Sequence, residues 1–242
     1  SHVRALVPPR PEERAEMQES AARTAWISLG PDPVPVQTRD IPAERRQAEA
    51  LAVKAILAAA LGFRRIFLGG LLDRERGLAL LDSERVPVPR PAFLAVRTLE
   101  EHLRGTRYVG SFQLREPFRN YVFAHADRRK VVVALWQYGE RRTDELDRLY
   151  MGNMPLEIVD MAGNVTTLPP RAPIPVRRMP LLVAGIDREL ALTRMSMAIE
   201  SVPPLRARNA LQEQALTITN HFGTELPVTL QNAYATNRLF LM

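Results

Sequence analysis

The chain has 242 residues, 46% apolar and 25% charged, which suits one large or two small globular domains and excludes wholesale disorder. Its net charge of +6 comes almost entirely from arginines spread among acids, and only 6% of residues are aromatic, so the basic residues read as solvated faces and no nucleic-acid partner is expected. There is no cysteine, which excludes disulfides, thiolate metal sites and a cysteine nucleophile, and no apolar run reaches the length of a membrane span.

The first stretch, SHVRALVPPRPEER, lacks the build of a signal peptide, so a secreted parent would carry its leader elsewhere. For such a parent an extracellular or periplasmic location is open. PEERAEMQESAAR then has the acidic, proline-led start of a helix. Ala25 to Leu29, in TAWISLG, reads as a short buried strand closed by Gly30 and Pro31. A long loop, PDPVPVQTRDIP, leads to Pro42, which opens a helix, AERRQAEALAVKAILAAALG, with Gly62 as its C-cap. RRIFLGGLLD is a second short strand ending in a glycine pair, and PAFLAVRTLEEHLRG is a helix between Pro91 and Gly105. Residues 1–105 thus hold two consecutive β-loop-α units, the pattern of a parallel α/β fold. Two strands do not complete such a sheet, so this half reads as the end of something larger.

From Tyr108 the period changes to short β-branched and aromatic segments: YVGSFQLR, NYVFAHAD, KVVVALWQYG, LEIVDMAG, NVTTLP and MPLLVAG. Turn residues separate them, and the pattern predicts a small antiparallel sandwich over residues 106–186. Residues 187–242 open differently: ELALTRMSMAIES is either a strand pair or a short helix leading to a strand, and QALTITNHFGTELPVTLQNA reads as two strands about a glycine turn. This is the opening of a second, incomplete sandwich.

Few residues carry a chemical signal by themselves. His2, His102, His125 and His221 share no metal-ligand spacing, so no metal and no cofactor is expected. Ser28 has neither a nearby histidine nor the glycines of a nucleophile elbow. Trp26 sits mid-strand, where a core position is the plain reading and a sugar-stacking floor the alternative. Trp136 and Tyr138 share a face if their strand is regular; the plain reading is again core, and an exposed pair would make a carbohydrate platform. Residues 164–166, Asn-Val-Thr, match the glycosylation acceptor pattern, which occurs often by chance.

Taken in order, RTAWISLG, AEALAVKAILAAALGFRRIFLGGLLD, VPVPRPAFLAVRTLEEHLRGTRYVG, and VVVALWQYGE with LEIVDMAGNVTTLP and MPLLVAGID resemble the C-terminal portion of a known group. These are the retaining (β/α)8-barrel glycoside hydrolases of the cellulase-like and β-xylosidase-like kind, with an appended β-sandwich. The likeness spans roughly residues 20–190, and PRPAFLAVRTL and VDMAGN are its more specific parts. It implies a mixed fold: the last two β/α units of a barrel in residues 1–105, an accessory sandwich in 106–186, and the start of another sandwich in 187–242. RTAWISLG would be the seventh barrel strand, which in that group reads Trp-Ile/Leu-Thr-Glu-x-Gly.

A retaining glycosidase needs two carboxyls about 5 Å apart, a nucleophile and an acid/base. In the resembled group the nucleophile ends strand seven and the acid/base ends strand four. Matching Trp26-Ile27-Ser28 to that pattern puts Leu29 at the nucleophile position, and a leucine side chain cannot attack an anomeric carbon. Asp32 is the nearest acid that could stand in, although a turn or cap role suits it better; Asp40 and Asp73 lie farther off, and Asp73 is a lesser candidate for a sugar contact. The resemblance therefore implies a non-catalytic fragment or degenerate relative, structural or carbohydrate-associated, whose partners are the remaining domains of a longer parent and a poly- or oligosaccharide. Two alternatives stand beside it: the tail of an active glycosidase whose carboxylates lie upstream, and a β-sandwich binding or adhesion module.

Overall fold

The computed structural model describes residues 41–63, 65–68, 88–114, 117–126, 129–138, 154–199 and 216–222, positions 225 and 227, and, for 26–29, 198 and 199, the backbone alone. The predicted first helix, the loop with Asp32 and Asp40, the stretch with Asp73, and DELDRLYMG lie outside the described residues. Two compact units are distinguished, Ser1–Met195 and Ser196–Met242.

The first unit begins with a parallel pair. Strand β1, Trp26–Leu29, is followed by helix α1, Ile41–Ala60, and then by strand β2, Arg65–Leu68. β1 and β2 pair in parallel over all four residues, from Trp26 opposite Arg65 to Leu29 opposite Leu68. Parallel neighbours need a crossover, and α1 supplies it. The helix stops where the sequence says it should. Gly62, at φ 90°, turns the chain, while its N–H donates to the Ala59 carbonyl and that of Phe63 to the Ala58 carbonyl. These are the two reversed bonds of a Schellman cap, and they need a residue that accepts the left-handed conformation.

Helix α2, Pro91–Leu103, starts on its proline and ends before Gly105, at φ 71°. It packs alongside α1. Ala92 meets Ala48 and Leu51, whereas Ala95 and Leu99 join Ala52, Ala55, Ile56 and Ala60, so the two helices run parallel. Small residues at these positions let the two backbones come close.

The rest of this unit is one six-stranded antiparallel sheet. Its strands are β3 (Thr106–Gly110), β4 (Phe118–His125), β5 (Lys130–Gln137), β6 (Leu156–Val159), β7 (Val165–Leu168) and β8 (Leu181–Asp187), in spatial order β3-β4-β5-β8-β6-β7. Thus β3 to β5 form a meander, β6 and β7 a hairpin at the far edge, and β8 returns between them. Tyr121, Phe123, Val132, Ala134, Trp136, Val159 and Leu182 form a row on one face and share a core with α1 and α2. The opposite row, which includes Phe118, Val122, Val131, Val133, Leu135 and Val183, is also buried. Seven successive residues of β5 are therefore out of water, as expected of a central strand covered on both faces.

Two irregular segments lie along that second face. The Asn120 amide holds the Phe112 backbone, accepting from its N–H at 2.7 Å and donating to its carbonyl at 2.9 Å. Gln137 donates through Nε2 to the Val176 carbonyl at 2.6 Å. Asp187 ends β8 and caps helix α3, Arg188–Ser196, by accepting from the Leu190 N–H; Arg194 of that helix stands over the Phe112 ring. Mixed α/β architecture is thus what the described residues show, and every described strand between Thr106 and Asp187 belongs to the one sheet.

In the second unit, strands β9 (Met197–Ile199) and β10 (Leu216–Ile218) form a two-stranded antiparallel ribbon. The run from α3 into β9 is a short helix leading to a strand, one of the two forms expected for ELALTRMSMAIES.

Candidate functional site

In parallel α/β folds the carboxyl ends of the strands, next to the helix starts, are where ligands bind. Here that end can be located from packing. Leu68, the last residue of β2, packs against Ala48 and Leu51, near the middle of α1, and against Ala92, the second residue of α2. The middle of α1 and the amino end of α2 therefore stand beside the carboxyl end of β2, and Leu29 is its register partner on β1.

Three polar side chains are buried at or near the starts of these helices. Glu44 is 3% exposed and Gln47 is 2% exposed on α1, and Arg90, the residue before α2, is 8% exposed. Glu44 sits where the helix dipole favours an anion. Sequence reading passed over all three. The available signal was local: an acid in the first helical turn, and an arginine directly before the Pro91 that opens α2. This end of the parallel pair thus carries one described carboxylate, Glu44, held within the helix layer. A retaining hydrolysis needs two carboxyls facing one anomeric carbon. Among the described residues, no group of three or more His, Asp or Glu side chains is placed to hold a metal ion.

The sequence-derived candidates fall as follows. Leu29 and Trp26 lie on β1, of which the backbone is described, and Asp32 and Asp73 are outside the described residues. Trp136 is in the core, 6% exposed, and stacks on Tyr121 with ring centroids 5.5 Å apart and planes 6° from parallel. Its ring is thereby closed to a ligand. Tyr138 lies just beyond the end of β5, half-buried, with the Arg119 guanidinium 3.9 Å over its ring. The structure does not bring Trp136 and Tyr138 together as an open platform. Tyr108, at 5.5 Å from Tyr121 and 6.0 Å from Phe123, extends the same aromatic packing toward β3. These rings pack between sheet and helices.

Among the described residues, the turn from β6 to β7 is an exposed feature held by several hydrogen bonds. Asp160 accepts from the N–H groups of Ala162 and Asn164, each at 2.9 Å, and from Asn164 Nδ2 at 2.8 Å. Burial raises the pKa of this carboxyl, but the bonds from the Asn164 side chain and from the backbone of Asn164, Ala162 and Gly163 together outweigh it, leaving the pKa below its ordinary value. The turn docks on α2, where the Thr98 hydroxyl donates to the Met161 carbonyl at 3.4 Å. The VDMAGN motif is therefore a helix-to-sheet joint. Asn164, the first residue of the glycosylation pattern, already spends its amide on Asp160.

No protein-family model matches the chain, and neither does any curated protein. Among solved structures, a GH30 endoxylanase from Clostridium papyrosolvens is similar at a TM-score of 0.45 and 10% sequence identity. The match covers 66% of this chain and 41% of that one, so the chain spans well under half the length of that enzyme. No described helix is long and apolar enough to cross a membrane.

Proposed function

We propose that this chain is the C-terminal part of a glycoside hydrolase-like barrel protein, that by itself it hydrolyses nothing, and that its antiparallel sheet braces the last two β/α units. Its role is structural and carbohydrate-associated, and its partners are the remaining barrel strands and a poly- or oligosaccharide held by the parent. In this reading residues 1–105 are the barrel end, 106–186 an accessory β domain, and 187–242 the opening of another.

The observation that supports the reading best is the shared core. Helices α1 and α2 lie between the parallel pair and the antiparallel sheet, burying one row of side chains against Leu68 and another against Tyr121, Phe123, Ala134 and Trp136. A two-stranded parallel pair is not stable alone. Burial of its helices on an independent sheet gives it a support that does not depend on the missing strands. Leu29, matched to the nucleophile position by resemblance, and Leu68 opposite it give the strand ends no carboxylate.

The test is turnover of aryl glycosides by the full chain and by its Leu29→Glu variant. Neither is expected to react, because the resemblance puts the partner acid at the end of barrel strand four, outside the two β/α units that residues 1–105 resemble. Measurable turnover by either would overturn the reading. Retardation of the full chain in a polysaccharide gel, with no turnover, would support the carbohydrate-associated role.

A further inference from the structure

We infer that the arginines gathered where the segment between β7 and β8 meets α1 form a docking surface for an acidic polysaccharide, one that carries carboxylates along its length. That the partner is a polysaccharide rests on the carbohydrate-associated reading above; that it is anionic does not.

Four exposed arginines from two distant parts of the chain meet here. Arg45 and Arg46 lie on α1, four and three residues before Glu49, so both neighbour Glu49 on the helix surface. Arg177 and Arg178 lie near the end of the segment that leads into β8, and Arg178 Nε stands 3.1 Å from Glu49 Oε1. Met179, the next residue, fixes that segment in place by packing against Ala48, Leu51 and Ala92. The Arg177 carbonyl accepts from the Gln137 N–H at 2.9 Å, which brings the end of β5 to the same region. Beside it Arg119 continues the helix-facing row of Tyr121, with its guanidinium 3.9 Å over the Tyr138 ring.

The charges here do not balance. Among the described residues, α1, β4, β5 and the segment 169–180 carry two acids, Glu44 and Glu49. Glu44 is buried, and Glu49 already holds Arg178. The arrangement does not serve folding. Like charges one helical turn apart repel, and cations near the start of a helix face the positive end of its dipole. An anion laid across the four side chains relieves both. The guanidinium narrows the class of anion: it is planar, stays charged at any working pH, and takes a carboxylate through two parallel hydrogen bonds. Cations spread over two elements of an open surface, rather than lining one pocket, suit a polymer with repeated carboxylates.

The probe is polygalacturonate, and the assay is affinity electrophoresis of the full chain at low salt. Arg45→Gln/Arg46→Gln and Arg177→Gln/Arg178→Gln are each expected to weaken binding at least about tenfold, since each removes two charge-assisted contacts. Arg104→Gln/Arg107→Gln takes the same charge from exposed residues around the start of β3 and should leave binding nearly unchanged. All these side chains are exposed, so thermal midpoints should match the parent's and exclude unfolding as the cause. Three results would overturn the inference: no binding of polygalacturonate by the parent chain, an equal loss in Arg104→Gln/Arg107→Gln, or equal affinity for duplex DNA at matched charge. The first denies the surface, the second reduces it to net charge, and the third makes it blind to carbohydrate. Retardation in a neutral polysaccharide gel should be the same for every variant, and its presence or absence bears on the proposed function alone, so the two readings fail separately.

Discussion

Replacing Asn120 by alanine gives the most direct test of how the second face of the sheet is closed. The Asn120 side chain imitates a strand: it accepts from the Phe112 N–H at 2.7 Å and donates to the Phe112 carbonyl at 2.9 Å. Both residues are buried, Asn120 at 5% exposure and Phe112 at 4%. Alanine removes both bonds and leaves two backbone groups out of water. A hydrogen bond contributes about 1 kcal/mol net, but a buried group left without its partner costs about 1–3 kcal/mol. Two such groups give a loss of about 2–6 kcal/mol, with the lower end applying if water enters the space vacated by the amide. Against a typical total of about 5–15 kcal/mol, that is a large fraction. Urea unfolding of the full chain, read as the shift in midpoint at constant slope, measures it. Asn120→Asp keeps the acceptor for the Phe112 N–H but sets a carboxylate oxygen against the Phe112 carbonyl, so it should destabilise as well. A loss below about 0.5 kcal/mol for Asn120→Ala would mean that the Phe112 segment is not clamped to the sheet, and the reasoning would fail.

Trp136→Ala should cost about 3–5 kcal/mol in the same assay, because the ring is stacked on Tyr121 within the core shared by sheet and helices; a near-neutral change would contradict that placement. Gly163→Ala should destabilise by about 1 kcal/mol, since its φ of 90° disfavours a side chain and a Cβ would stand 3.4 Å from Thr98 Oγ1; circular-dichroism melts would show it. The folded state holds the Asp160 carboxyl below its ordinary value of 3.8. Its contribution to stability is therefore present above the unfolded value and is lost as pH falls through the folded one. The stability gap between the native chain and Asp160→Ala should accordingly be full at neutral pH and shrink once the pH drops below 3.8, and a gap independent of pH would refute the role of the ionised form. Breaking the Arg178–Glu49 contact at 3.1 Å with Arg178→Ala should change stability by less than about 1 kcal/mol, because the arginine is largely solvated.

Local chemistry along the chain determined the element types. Short apolar runs closed by glycine or proline marked two strands, Gly62 and Gly105 marked the helix ends, and the β-branched runs marked the sheet. These are short-range effects of backbone sterics and of polar groups seeking partners, and they act within a few residues. The partners of those elements were a different matter. Nothing near Val131–Trp136 says that both faces of β5 are covered, because a run of apolar residues reads alike whether helices, loops or another sheet lie over it. The placement of β8 between β5 and β6, the closing of the Trp136 ring against Tyr121, and the burial of Glu44 and Arg90 at the helix starts all join residues far apart in sequence. Position 29 shows the limit most clearly. Its leucine could be read from the chain, but its backbone pairing with Leu68 on β2 could not. Sequence alone determined which residues want burial; only the tertiary structure decided against what they are buried, because that choice is made by complementary surfaces brought together from distant parts of the chain.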